Sequence, residues 1–196
     1  MLMKKPIGTS SLVRIRQFWG NALKEPFSIG AVAPSSVFLA RKITKGIDQD
    51  SFVIELGAGT GVVTKAILHA GVAPKNLILL EQNPDFAKLL KERFSDVTVL
   101  RSNALDLEKE ASHVFGSVDF IVSGLPLMLF NADQKESLLS QAFKMLKPSG
   151  CFHQFTYGGK CPVEQSILHS LNLKATFLNF TLFNLPPAFV YRLERC

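Results

Sequence analysis

The stretch VIELGAGTGVVTKAIL, residues 53–68, restricts the possible folds of this chain more than any other. A short apolar run ends at Leu56, glycines follow at positions 57, 59 and 61, and a helical pattern begins at once. Glycine permits the sharp turn and the close backbone approach that such a junction needs. The helix that follows presents unpaired N–H groups at its start. In an open α/β sheet, the carboxyl end of such a strand is where a nucleotide-like ligand binds. The pattern predicts a strand–turn–helix unit of a parallel sheet, with a ligand site at the turn.

The rest of the chain repeats the theme. FVIEL, LILLE, VTVL, VDFIV and CFHQFTY are strand-like runs, and helical patterns start near Thr60, Pro84, Asp133 and Pro162. Strands joined by crossover helices form a mostly parallel sheet covered on both faces. KATFLNF and AFVYRL follow with only NLPP between them, which predicts an antiparallel pair at one edge. The expectation is an α/β fold with a seven-stranded, mostly parallel sheet, an antiparallel edge strand, and additional helices at the N-terminus. At 196 residues the chain holds one full-sized domain with a substantial core. With 47% apolar and 19% charged residues it has the composition of a globular protein.

No apolar run reaches the roughly 20 residues needed to cross a bilayer. The opening MLMKKPIGTSSLVRIRQFW is interrupted by Arg14 and Arg16, so it reads as unexported rather than as a signal peptide. Cys151, Cys161 and Cys196 are odd in number and form no CxxC pair. His69, His113, His153 and His169 lack metal-ligand spacing. Neither a disulfide nor a metal is expected.

The charge is unevenly placed. The net charge is +6, yet through residue 46 there are eight bases and one acid, Glu25, and the remainder carries 14 bases against 15 acids. Within that basic segment SSLVRIRQFWGNALKEP has a capping serine and a stopping proline. Leu12, Ile15, Phe18, Trp19, Ala22 and Leu23 fall on one helical face, and Arg14, Gln17, Asn21 and Lys24 on the other, with Arg16 between. After the loop FSIGAVAPSS a second helix runs through SVFLARKIT. Residues 1–46 are read as a basic helical extension and 47–196 as the ligand-binding domain. The extension suits a polyanion, either an anionic membrane surface or nucleic acid, and composition does not choose between them.

Two acids sharpen the glycine motif. Glu55 precedes the first glycine, and Glu81 closes the next strand in LILLEQNP, where a carboxylate can accept both hydroxyls of a ribose. The ordinary alternative for Glu81 is a helix-capping acid. ELGAGTG followed by this second-strand acid resembles the S-adenosylmethionine site of the class I methyltransferases, which have a Rossmann-like fold. The resemblance implies that Gly57, Ala58, Gly59 and Gly61 line the cofactor, that Glu55 helps to hold its ammonium end, and that Glu81 with Gln82 meets the ribose. In LRSNALDL the family usually offers an acid near the adenine. Here Asn103 stands there, so Asn103 and Ala104 are the expected adenine contacts.

The fourth strand runs into VSGLPLMLF, residues 122–130, which contains no ionisable side chain. Adenine-methylating enzymes resemble this region but carry an Asn-Leu-Pro-aromatic loop, which Ser123, Gly124, Leu125, Pro126 and Leu127 replace. SGLPLM, together with GAVAPSS, QFTYG and the terminal PPAFVYRLER, looks like the bacterial phospholipid N-methyltransferases. That resemblance implies stepwise methylation of phosphatidylethanolamine toward phosphatidylcholine, by a monomeric enzyme peripheral to the cytoplasmic face of the membrane. Ser123, Gly124, Leu125 and Pro126 would form the methyl-transfer loop, and Ser123 would also reach the cofactor. Tyr157 and His153 would line the pocket, and Ser35 and Ser36 would close over the methionine end. Ser35 and Ser36 could equally cap a helix, and His153 could face elsewhere. The N-terminal helix would lie in the lipid interface or else pack on the domain. Two other readings stay open: an RNA adenine N-methyltransferase, and a non-catalytic protein that binds cofactor or membrane.

Overall fold

The computed structural model describes residues 34–157, 159–181 and 187–196, with side chains from residue 38 onward. The amphipathic segment carrying Arg14, Arg16 and Lys24, most of the GAVAPSS loop, and the side chains of Ser35 and Ser36 lie outside the described residues. Pro34–Cys196 form one compact unit.

Its helices are α1 (Pro34–Ile43), α2 (Val62–His69), α3 (Pro84–Arg93), α4 (Leu107–Ala111), α5 (Ala132–Met145) and α6 (Gln165–Ser170). Its strands are β1 (Val53–Leu56), β2 (Leu77–Leu80), β3 (Thr98–Leu100), β4 (Val118–Ser123), β5 (Leu146–Thr156), β6 (Leu173–Thr181) and β7 (Ala188–Arg195). They form one seven-stranded sheet in the order β3-β2-β1-β4-β5-β7-β6. The first five strands pair in parallel, and β7 runs antiparallel to both β5 and β6. The expected antiparallel pair is therefore present at the edge. The reversed strand of the two is β7, inserted inside β6, so β6 forms the edge itself.

Strand residues alternate between the two faces. Val53, Leu77, Leu79, Val122 and Val190 pack with Leu39, Ile43, Ile67 and Leu90 of α1, α2 and α3. Ile54, Leu56, Ile78, Leu80, Ile121 and Phe152 pack with Leu107, Leu138, Leu139 and Ile167 of α4, α5 and α6. Burial on both faces explains why VIEL and LILL do not alternate apolar with polar residues, Glu55 being the one ionisable side chain in them.

Caps fix where the helices begin and end. Asn83 accepts from the backbone N–H groups of Asp85 and Phe86 ahead of α3, with Pro84 in the first turn. Asn131 and Gln134 form a reciprocal capping box at the start of α5. At its far end α5 passes directly into β5, and the Arg195 guanidinium donates to the carbonyls of Phe143, Leu146 and Lys147. A cation from the last strand thus satisfies carbonyls that the ending helix leaves open. Helix α4 was not expected from the sequence, because five residues are too few to show a period. None of the helices among the described residues is long and apolar enough to cross a membrane.

Candidate active site

Strand order reverses between β1 and β4, which creates a crevice beyond their carboxyl ends. Two backbones meet there at unusually short range. The N–H of Gly124 donates to the Leu56 carbonyl at 2.8 Å, and the N–H of Gly57 donates to the Leu80 carbonyl at 2.8 Å. A Cβ added to Gly124 would lie 2.8 Å from the Gly57 carbonyl oxygen, and one added to Gly57 would lie 2.9 Å from Cδ2 of Leu125. At Gly124 the obstacle is backbone and leaves no room for a side chain, whereas at Gly57 it is the end of the Leu125 side chain, on a left-handed backbone of φ 71° that favours glycine.

The other two glycines of the motif divide their work. Gly61 caps α2 in the left-handed region, and a Cβ there would stand 2.5 Å from the Phe94 ring. It lets α2 pack against the end of α3, away from the crevice. Gly59 also has a positive φ, but a Cβ on it would meet nothing within 4 Å. Its open side is the part of the motif that a ligand can approach.

The acids flank this opening. Glu81 accepts from the N–H of Gly59 at 2.9 Å with one oxygen and from the N–H of Asn83 at 2.8 Å with the other. The carboxylate therefore braces the glycine turn and is held at the end of β2. Glu55 faces α2, where the Thr64 hydroxyl donates to it at 2.7 Å. Burial pushes the Glu55 carboxyl up to about 8, against the lowering effect of Thr64 and with a smaller upward push from Glu81. Near neutral pH Glu55 is mostly protonated, and a cation brought alongside would favour its ionised form. Ala58 is buried beneath the turn, and Gln82 is exposed.

At the end of β3, Asn103 is exposed and its side-chain oxygen accepts from the N–H of Leu105 at 2.9 Å, which caps a short helical turn over Ala104–Asp106. Ala104 is buried under that turn. The amide NH2 of Asn103 has no partner among the described residues.

Among the described residues, the hydrogen bonds that hold the β4 loop are all neutral. The buried Ser123 hydroxyl accepts from the N–H of Leu125 at 3.3 Å, and the N–H of Leu127 donates to the Leu125 carbonyl. The same carbonyl receives a 2.9 Å bond from the side-chain NH2 of Gln154, whose Oε1 has no hydrogen-bond partner among the described residues. Gln154 pairs in register with Ser123 across β4 and β5. It is fully buried and was not singled out in the sequence, although an amide in the apolar run CFHQF is the available signal.

Tyr157 follows β5 directly and is half-buried, with its ring edge-on to Phe155 at 5.5 Å. His153 lies elsewhere. Its side chain points to the opposite face from Gln154, where Nδ1 is 2.7 Å from the Ile43 carbonyl and Nε2 is 3.4 Å from Cys151 Sγ. Burial lowers the imidazole to about 4, so it is neutral over the usual range. The structure brings Glu55, Gly57, Gly59, Glu81, Ser123, Gly124, Leu125 and Pro126 to one end of the sheet and gives His153 the job of fixing the end of α1. The described residues contain no cluster of three or more His, Cys, Asp or Glu that could hold a metal ion.

Comparison with known proteins gives this crevice a family. Residues 53–150 match a family model described as a methyltransferase domain. The chain is 36% identical over 181 residues to the ornithine lipid N-methyltransferase of Singulisphaera acidiphila, covering 89% of this chain and 92% of that protein. It belongs to the S-adenosylmethionine-dependent methyltransferases. A shorter match, 36% over 72 residues, joins this methyltransferase to the ribosomal RNA small subunit methyltransferase A of Maridesulfovibrio salexigens. That match covers only 36% of this chain and 27% of the other. Among solved structures, the TehB-like SAM-dependent methyltransferase of Corynebacterium glutamicum superposes with a TM-score of 0.63 at 14% identity, covering 94% of this chain and 97% of that one. This likeness concerns the fold.

The crevice of the methyltransferase fits its cofactor. The open side of Gly59 leaves room for a ligand beside the turn, Glu81 sits next to it, and the buried Glu55 carboxyl would be favoured in its ionised form by a neighbouring cation.

Proposed function

We propose that this methyltransferase transfers methyl groups to the primary amine in the headgroup of a membrane aminolipid. When bound, S-adenosylmethionine supplies an electrophilic methyl group on a sulfonium sulfur. Everything else falls to this chain. Glu81 accepts the ribose hydroxyls, Asn103 offers its free amide NH2 to the adenine, and Glu55 ionises beside the ammonium group. Gly57, Ala58 and Gly59 form the turn against which the cofactor lies, with Gln82 beside the ribose and Ala104 beneath the adenine. Gly61 supports that turn by allowing α2 to meet α3. Ser35 and Ser36, in the first turn of α1, are assigned to the methionine end of the cofactor.

The observation that carries the reading is the β4 loop. A displacement on carbon by a neutral amine needs alignment and a dry pocket, and no protein nucleophile. Leu125 and Pro126 exclude water and present no competing ionisable group, while Gln154 and Ser123 keep the loop in place. The amine gives up its proton to solvent before it enters, since no residue of the loop can take it. Tyr157, the residue directly after β5, presents a ring face or a hydroxyl to the incoming headgroup.

Two headgroups fit these requirements. The relative that covers nearly the whole chain is named for ornithine lipid, which favours an amino-acid headgroup. The SGLPLM and QFTYG motifs resemble enzymes of phosphatidylethanolamine, which is the second reading. The basic segment through residue 46 belongs to the proposal as the part that holds the enzyme at the inner face of an anionic membrane.

Competition tests the choice. Vesicles containing equal amounts of ornithine lipid and phosphatidylethanolamine are incubated with labelled cofactor, and the products are separated by mass. Methylated ornithine lipid as the main product supports the first acceptor. Methylated phosphatidylethanolamine supports the second. Label in neither lipid overturns the aminolipid reading.

A further inference from the structure

The face of β6 and β7 that continues the α6-covered core begins as ordinary interior. Leu173 and Leu193 are buried there with Ile167 and Leu168 of α6, and Ala175 and Tyr191 pack partly against them. Further along both strands the helical cover stops while the apolar side chains go on. Phe177 is 51% exposed and Phe180 is 47% exposed. Their rings, with Phe189 and Tyr191, form a contiguous patch with centroid distances of 5.9–6.4 Å.

This patch is built by an irregularity. Phe177 pairs with Tyr191 and Phe180 with Phe189, so three steps along β6 match two along β7, with the register shift between Phe177 and Asn179. A β-bulge of this kind inserts one residue and re-aims the side chains beyond it. Without it, Phe180 would fall on the other face. The opposite face of the same strands carries the Lys174–Glu194 and Arg192–Glu194 ion pairs at one end and is buried core at Val190 and Ala188, behind the rings. An edge strand with uncharged aromatic rings on an uncovered face is otherwise an aggregation hazard.

The patch adjoins the methyl-transfer end of the sheet. Phe189 pairs with Thr156, the last residue of β5, and the Tyr191 hydroxyl donates to the Gly159 carbonyl just beyond Tyr157. A Cβ on Gly159 would touch the Phe189 ring at 3.7–3.8 Å. Lys160, exposed, is the next residue. The connector that follows β6 reads LFNLP over residues 182–186 and adds no charge. Aromatic rings rimmed by a lysine match the boundary between acyl chains and anionic headgroups.

We infer that Phe177, Phe180 and Phe189 form a lipid-docking surface, which sits in the acyl region of the bilayer and brings the carboxyl ends of β4 and β5 to the headgroup amines. This inference rests on the aminolipid reading. It assigns to the catalytic unit itself a membrane contact separate from the basic N-terminal segment.

The test is co-sedimentation of the full chain with phosphatidylcholine vesicles containing a minor fraction of phosphatidylglycerol, at high salt to screen the basic segment. The Phe177→Ser/Phe180→Ser variant is compared with wild type and with Phe115→Ser, an exposed ring at the amino end of β4. All three must melt alike. Removing two half-exposed rings is expected to weaken vesicle partitioning by about tenfold or more, while Phe115→Ser partitions as wild type. Methyl transfer to a water-soluble headgroup amine should be the same in the double variant as in wild type. Unchanged partitioning of the double variant overturns the inference. So does a wild-type dimer that the double variant converts to monomer in sedimentation velocity, since the occupant would then be a second copy. If the variant loses vesicle binding but wild type methylates no aminolipid, the docking surface stands and the substrate assignment fails.

Discussion

Replacing Glu55 by glutamine isolates the most strongly perturbed group of the crevice. The folded carboxyl titrates near 8 against an ordinary 4.5 because it is removed from water. Below about pH 4.5 both folded and unfolded chains hold the proton, and the group contributes nothing to the pH dependence. As pH rises toward about 8, the unfolded chain releases the proton that the folded chain retains, so stability is lost across this window. At about 1.4 kcal/mol per pH unit the total loss is on the order of 4–5 kcal/mol. The Glu55→Gln variant keeps the shape and can still accept the Thr64 hydroxyl, but it does not titrate. Urea unfolding of both proteins from about pH 5 to about pH 9 should give curves that start close together and diverge, with the variant the more stable at high pH. Parallel curves would show that Glu55 is not desolvated as described. The same substitution should weaken cofactor binding and abolish the release of about one proton that accompanies it near neutrality, because an amide cannot ionise beside an ammonium group.

Two glycines of one motif should fail differently. Gly61→Ala meets the Phe94 ring and a left-handed backbone, and should cost about 2–4 kcal/mol in chemical denaturation. Gly59→Ala should cost only about 1–2 kcal/mol, from the backbone alone, yet lose cofactor affinity in calorimetry. Equal stability losses, or a Gly59 variant that binds normally, would contradict this division. The imidazole of His153 titrates near 4 instead of 6.5. Its stabilisation is present above about pH 6.5 and is lost as the pH falls toward 4. His153→Gln should therefore flatten that acid slope in a thermal-melt series, and an unchanged slope would refute the assignment.

The sequence showed most of the fold because its elements are locally consistent. VIEL and LILL are buried throughout since both faces are covered, with Glu55 the one ionisable residue in them, and Asn83-Pro84 and Asn131 mark helix starts by their capping chemistry. What it hid depends on contacts distant in the chain. Gly57 and Gly124 are 67 positions apart, and only the pairing of β1 with β4 shows that the Gly57 carbonyl excludes a side chain from Gly124 and that Leu125 crowds Gly57. His153 and Gln154 are adjacent in sequence but serve opposite faces, one holding α1 and the other the β4 loop. The β6 bulge was equally invisible, because nothing in KATFLNF shows where a register shifts.

If an apolar, neutral loop aligns a lipid amine for methylation, labelled methyl from S-adenosylmethionine should discriminate between aminolipid-containing anionic vesicles and unmodified ribosomal RNA supplied in parallel. Label in the lipid and none in the RNA is the predicted result. Label in the RNA alone would contradict it and make the basic N-terminal segment a nucleic-acid grip.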